Sequence, residues 1–334
     1  MNMESLLSVN GLQTAFDTES GRVVSVDDVS FHINSGETLA IVGESGSGKS
    51  VTALSIMRLL GKRGSIVKGS ITFEGQDLAV VDERTMQHIR GNQISMVFQE
   101  PMTALNPVLT IGYQLTEVIM LHMSMSKKEA RDLAIEMLGK VGLSNPKSLM
   151  KQFPFALSGG MRQRVMIAMA LVCKPKLLIA DEPTTALDVT VQAQIMRLMK
   201  QLCSEAGTAI MLITHDLGVV AEMADRVIVM YAGQVVESTD VFTLFESPRH
   251  PYTLGLMRSV PSIDEDQAEL VSIPGSVPSS YEHIPGCRFY NRCPFAQEHC
   301  EKNVPPLFDT GAGHLSRCFE WKSLRHELGV GSHE

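Results

Sequence analysis

Four short, mainly apolar runs punctuate the first two-thirds of the chain: Thr38–Val42, 94–98, 177–180 and 209–213. Each is too short for a helix and mostly apolar without strict alternation, the pattern of strands covered on both faces. Between them the apolar period becomes helical. Over 126–141, residues Ala130, Leu133, Ala134, Met137, Leu138 and Val141 fall on one stripe, and Ser126 with Glu129 forms a capping box at its start. Strands alternating with helices predict an α/β fold around a mainly parallel sheet. Arg226–Tyr231 and 234–236, split by Ala232-Gly233, predict an added hairpin. Beyond about residue 247 the periodicity fades, and nine of the 15 prolines lie from Pro248 onward. We therefore expect an α/β domain over 1–250, with a mainly helical stretch over about 100–165. A loop-rich Cys/Pro-rich extension follows over 251–334, stabilised by something other than a large core.

Composition narrows the function classes. Apolar residues make up 44% of the 334 positions and charged residues 20%, which suits a globular protein. The net charge of −8 argues against a broad nucleic-acid footprint, so no nucleic-acid partner is expected. The best apolar run, 165–173, is closed off by Arg164 and Lys174, whereas a spanning helix needs roughly 20 apolar residues. The first residues lack the basic stretch of a secretory signal. The chain is expected in the cytosol, meeting a membrane only peripherally or through a partner.

The chemistry starts after the first run. Gly43, Glu44, Ser45, Gly46, Ser47, Gly48, Lys49 and Ser50 fit the P-loop pattern, between an expected strand and an expected helix over 50–60. Glycines let backbone N–H groups converge on phosphate oxygens, and the helix N-terminus adds its positive dipole end. Lys49 supplies a charge toward the β- and γ-phosphates, and the Ser50 hydroxyl, next to Val51, suits Mg²⁺. The run 177–180 ends in Asp181-Glu182. Strand ends in such sheets face the ligand crevice. Asp181 would hold Mg²⁺ and Glu182 would orient and deprotonate the attacking water. Gln99 after one strand could ligate Mg²⁺, and His215 after another could bond the γ-phosphate. Leu157-Ser158-Gly159-Gly160-Met161-Arg162-Gln163-Arg164 opens a helical run in which Ser158 belongs at the N-cap, making a second anion site.

Together these residues resemble the nucleotide-binding subunits of ABC transporters. Residues 43–50 match Walker A, 177–182 Walker B, Gln99 the Q-loop and 157–163 the signature. Ala186-Leu187-Asp188 match the D-loop and His215 the switch histidine, while Phe16 is similar to the aromatic residue that stacks on adenine. A narrower resemblance is to the "D" type ATPase subunits of oligopeptide and dipeptide importers. It is carried by the stretches 97–107 and 180–190, His250-Pro251-Tyr252-Thr253, Ile273-Pro274-Gly275 and the tail cysteines. Phe155 and Glu100 depart from the usual His and Asp. The resemblance implies ATP and Mg²⁺ as ligands and hydrolysis in a head-to-tail heterodimer with a related ATPase subunit. It also implies two transmembrane permease subunits, an external solute-binding protein, and a peripheral place on the cytoplasmic face of the membrane. Peptide is the implied cargo; close relatives carry nickel or glutathione. A soluble ABC ATPase acting on nucleic acid would need a coiled coil or tandem units, which this chain lacks.

Cys287-x5-Cys293-x6-Cys300-x17-Cys318 places four thiols in the Pro-rich tail. Four thiolates suit zinc or an iron–sulfur cluster, and the spacing selects neither. The resemblance favours a structural [4Fe-4S] cluster, with Zn²⁺ as the alternative.

Overall fold

The structure is a computed structural model that describes residues 5–19, 21–99, 104–184, 188–259, 273–278 and 284–324. Strands in chain order are β1 (Leu7–Thr18), β2 (Gly21–Ile33), β3 (Thr38–Val42), β4 (Gly64–Phe73), β5 (Gln76–Asp77), β6 (Ile94–Val97), β7 (Leu177–Asp181), β8 (Ala209–Thr214), β9 (Arg226–Tyr231), β10 (Gln234–Asp240), β11 (Phe308–Asp309) and β12 (Leu315–Ser316). The chain divides into two compact units. One comprises Met1–Leu6, Ile33–Thr38 and Val80–Ile213; the other Leu7–His32, Leu39–Ala79 and Thr214–Glu334.

In the first unit β6, β7 and β8 run parallel, with Ile94 opposite Leu177 and Leu177 opposite Ala209. Every residue of β7 and β8 is buried, in keeping with the apolar runs 177–180 and 209–213 that they contain. The helices Gly159–Leu171 and Val189–Ala206 contribute Val165, Ile167, Ile195 and Met199 to the core. The helix Lys127–Lys140 begins with the expected capping box between Ser126 and Glu129 and buries Ala130, Ala134, Met137 and Leu138. The helix Ile111–His122 buries Ile111, Leu115 and Ile119.

The second unit holds an antiparallel sheet in the order β2-β1-β4-β5. It also holds β3 parallel to β9, with β9 and β10 forming the expected hairpin. Ala232 (φ 47°) and Gly233 (φ 79°) are both left-handed, the turn that matches strand twist. The extension differs from expectation. Tyr252 and Phe289 join Tyr231, Val229 and Leu244 in a single core. The rings of Tyr231 and Phe289 meet edge-on at 5.1 Å. Two large aromatic side chains bury enough area to seat a loop-rich segment without regular periodicity.

Candidate nucleotide-binding site

The second unit presents the phosphate loop. β3 is buried throughout and delivers the chain to Gly43 at φ 150°. A Cβ there would run into the Met230 carbonyl and approach Ser47 Oγ at 2.9 Å. Gly48 is left-handed at φ 100°, and a Cβ there would sit 2.8 Å from the Ser25 carbonyl oxygen. Only glycine serves both positions. The helix Lys49–Ile56 starts from Gly48 with no side chain capping its first N–H groups. Those first N–H groups and the helix dipole form an anion-binding end. Lys49 is 5% exposed, and its Nζ donates to the carbonyls of Gly43 (2.7 Å) and Glu44 (2.9 Å). Ser47 Oγ is buried without a hydrogen-bond partner, an open polar group in the loop itself. Ser50 and Val51 are half-buried on the first helical turn. The loop is braced from behind, because Gly233 N–H donates to the Ser47 carbonyl (2.9 Å) and Asp27 N–H to the Gly233 carbonyl (2.8 Å).

Two more expected residues lie in this unit. Phe16 on β1 is half-buried opposite Gly64 of β4, where a Cβ would come within 2.7 Å of its ring. His215 is exposed and follows β8 directly. The next residue, Asp216, accepts from Gly218 N–H (2.9 Å) and Val219 N–H (3.2 Å), capping the helix Leu217–Met223 and fixing the turn that carries His215.

The first unit presents the acidic strand end. Asp181 closes β7 at 6% exposure. Glu182 is left-handed at φ 45°, a conformation rare for a non-glycine residue, and its N–H donates to the Ile213 carbonyl (2.9 Å). Gln99, exposed after β6, donates through Nε2 to Glu182 Oε2 at 2.9 Å. Strand pairing therefore brings together two residues 83 positions apart. Ser158 caps the helix Gly159–Leu171, accepting from Met161 N–H at 3.3 Å. Leu157 is buried, Ser158 and Gly159 are exposed and Gly160 is half-buried. Gln163 is 2% exposed and donates to the Pro183 carbonyl, so this helix is tied to the turn after Asp181. Asp188 caps the helix Val189–Ala206 through Val191 N–H (3.0 Å). Ala186 and Leu187 of the D-loop, and 100–103 of the Q-loop stretch, lie outside the described residues.

Residues without an assigned role in the sequence reading also reach the phosphate loop. Tyr252 Oη accepts from Glu44 N–H at 2.7 Å, and the Arg292 guanidinium pairs with both Glu44 carboxylate oxygens at 2.7 and 3.0 Å. Burial pushes the Tyr252 phenol up, so it stays neutral and serves as acceptor. They stand 208 and 248 positions from Glu44, where no local spacing signals the contact.

The iron–sulfur expectation is corrected. Among the described residues no group of three or more His, Cys, Asp or Glu side chains is placed to hold a metal ion. Cys287, Cys293, Cys300 and Cys318 are free thiols that line one small apolar cavity with Phe289, Phe295 and Phe319. Burial pushes Cys293 and Cys318 up to about 12, so both stay protonated at neutral pH. They pack as small apolar side chains.

A strand–glycine loop–helix beside α/β strands defines a P-loop nucleotide-binding protein. The sequence pattern of "ABC transporter" matches residues 26–185, and that of "Oligopeptide/dipeptide transporter, C-terminal region" matches 236–300. The chain is 58% identical over 318 residues to the oligopeptide transport ATP-binding protein AppD of Bacillus subtilis, covering 95% of this chain and 97% of that one. It is 52% identical over 315 residues to the oligopeptide transport ATP-binding protein OppD of Salmonella typhimurium, covering 94% and 93%. Among solved structures, the dimeric post-hydrolysis state of the ATP-binding cassette MJ0796 bound to ADP and Pi is 29% identical. It matches with a TM-score of 0.64 over 70% of this chain and 98% of that one. The chain belongs to the ABC transporter family of ATP-binding proteins, in the group with the oligopeptide/dipeptide C-terminal region, and is an ATPase of that type.

Proposed function

We propose that the chain is the ATP-hydrolysing subunit that energises peptide import by a membrane-bound ABC importer. The observation that carries this reading is its near full-length likeness to two oligopeptide transport ATP-binding proteins. No helix among the described residues is long and apolar enough to cross a membrane, so translocation falls to partner subunits. Those partners are two permease subunits, fed by an external solute-binding protein, and a second, related ATPase subunit. The chain sits peripherally on the cytoplasmic face of the membrane.

ATP lies with its phosphates on the amides of 43–50, and Lys49 reaches the β- and γ-phosphates. Phe16 stacks on the adenine. The Ser50 hydroxyl, the Asp181 carboxylate and the Gln99 amide oxygen are hard oxygen donors that would hold Mg²⁺, which would supply neutralisation of the phosphate charge. The Gln99 bond to Glu182 uses the amide nitrogen and leaves that oxygen available. Glu182 takes a proton from the attacking water. The water oxygen bonds to the γ-phosphorus as the bond to the β–γ bridging oxygen breaks, and ADP leaves with that oxygen. His215 holds the γ-phosphate by a hydrogen bond. Leu157, Ser158, Gly159, Gly160 and Gln163 form the surface offered to the partner's ATP, with Asp188 at the D-loop, so that each nucleotide is stabilised from two sides.

The test is reconstitution of the complete transporter in liposomes with labelled peptides of several lengths outside. Peptide accumulation that depends on internal MgATP is the expected result. Accumulation of nickel or another small solute, with none of peptide, rejects the cargo assignment.

A further inference from the structure

We propose that Arg292 and Tyr252 are positioning residues for ATP binding, through which the C-terminal segment holds the phosphate loop and neutralises the carboxylate that loop carries. The inference rests on reading residues 43–50 as the ATP site.

Glu44 is the second residue of that loop, and its side chain is 32% exposed. A carboxylate there opposes a polyphosphate by like charge. Arg292 answers it from a side chain only 5% exposed, with a two-pronged pair at 2.7 and 3.0 Å. The guanidinium is itself fixed. Its Nε donates to the Pro274 carbonyl (2.9 Å) and its Nη2 to the Ile273 carbonyl (3.2 Å). Its carbon lies 5.7 Å from the Tyr231 ring centre and 6.0 Å from that of Phe289. Such a planar fork is pre-organised, and a lysine could not reproduce it. Tyr252 adds a bond to the loop backbone at Glu44 N–H and is fully buried beside Tyr231, with ring centres 4.7 Å apart. One aromatic cluster thus seats both groups that grip Glu44. The pair brings the net charge at the loop's edge to zero and holds the Glu44 peptide in one orientation. Both effects favour the nucleotide-bound arrangement more than they alter the hydrolytic groups.

The experiment measures binding of MgATPγS and the ATPase KM and kcat of the full chain, with thermal midpoints recorded in parallel. Arg292→Met leaves the Glu44 carboxylate unneutralised beside the phosphates and is expected to weaken binding roughly tenfold and to raise KM much more than it lowers kcat. Arg292→Lys keeps the charge without the fork and falls between. Adding Glu44→Gln to Arg292→Met removes the stranded carboxylate and recovers binding relative to the single variant. Unchanged binding in Arg292→Met overturns the proposal, as does a double variant no better than the single. If Arg292→Met does not fold, Arg292→Lys and Tyr252→Phe carry the same comparison, and wild-type affinity in both overturns it. Lys49→Ala separates the two readings. If it leaves binding intact, the loop is not the ATP site and both readings fall. If it abolishes binding while the Arg292 variants are silent, only this proposal falls.

Discussion

The Gln99 amide donates to the Glu182 carboxylate at 2.9 Å, across the ends of β6 and β7. Glu182 is held at its backbone too, in a left-handed conformation bonded to Ile213. A carboxylate restrained at both ends is set for one direction of proton abstraction. Replacing Glu182 with Gln keeps the shape and removes the base. ATP turnover should fall by about 10²–10⁴-fold, the usual worth of a positioned base. MgATPγS affinity should stay within about threefold of wild type, since the loop amides and Lys49 are untouched. Steady-state hydrolysis and equilibrium binding on one preparation check both halves; full turnover would remove Glu182 from its role.

Gly48→Ala should damage both stability and nucleotide binding. The position combines φ 100° with a Cβ path blocked 2.8 Å away by the Ser25 carbonyl. Strain of this kind costs about 1–3 kcal/mol. A lowered thermal midpoint with weaker MgADP binding is expected, and an unchanged midpoint contradicts the strain.

Glu237 is a buried hub of the second unit. It is fully inaccessible, pairs with His314 Nε2 at 2.7 Å, and accepts the N–H groups of Arg249 and His250. Glu237→Ala would strand two buried amides and an imidazole. A loss of about 3–5 kcal/mol is expected, the cost of breaking a buried pair from one side. Denaturant unfolding gives the number, and a loss below about 1 kcal/mol would show that water replaces the carboxylate.

His250 predicts an acid-side weakening. Burial pushes its imidazole from 6.5 down to about 3, while its Nδ1 accepts from Tyr252 N–H and caps the helix Pro251–Arg258. The folded state therefore keeps His250 neutral where the unfolded chain takes up a proton. Its contribution is complete above about pH 6.5 and drains away as pH falls toward 3, at up to about 1.4 kcal/mol per pH unit. His250→Asn retains a cap acceptor and removes the titration. The difference in unfolding free energy between wild type and variant should shrink on acidification from pH 7 to pH 5. A pH-independent difference rejects the assignment.

The parallel core was legible because its strands are apolar at most consecutive positions and need no phase information. The hairpin turn and the capping box were legible because each is a local chemical signal. β1 was not. Its buried residues Leu7 and Val9 keep one alternation, and Leu12 and Thr14 keep the other. Between them Gly11 is left-handed and the register to β4 slips, so the period of two breaks where the bulge sits. The local site motifs were readable as spacing. The Arg292 and Tyr252 contacts were not, since they depend on a core joining distant segments. The tail cysteines misled for a related reason: their spacing signals thiols in one segment, while packing decides whether they are ligands or lining.

The brace behind the phosphate loop is made by main-chain atoms alone, from Asp27 to Gly233 and from Gly233 to Ser47. Side-chain exchanges at any of the three cannot sever it directly, so ordinary sequence drift leaves it in place. What guards it is the handedness of one tight bend at Ala232 and Gly233. A β-branched residue at Gly233 would do by backbone torsion what no change of charge or size could do by contact.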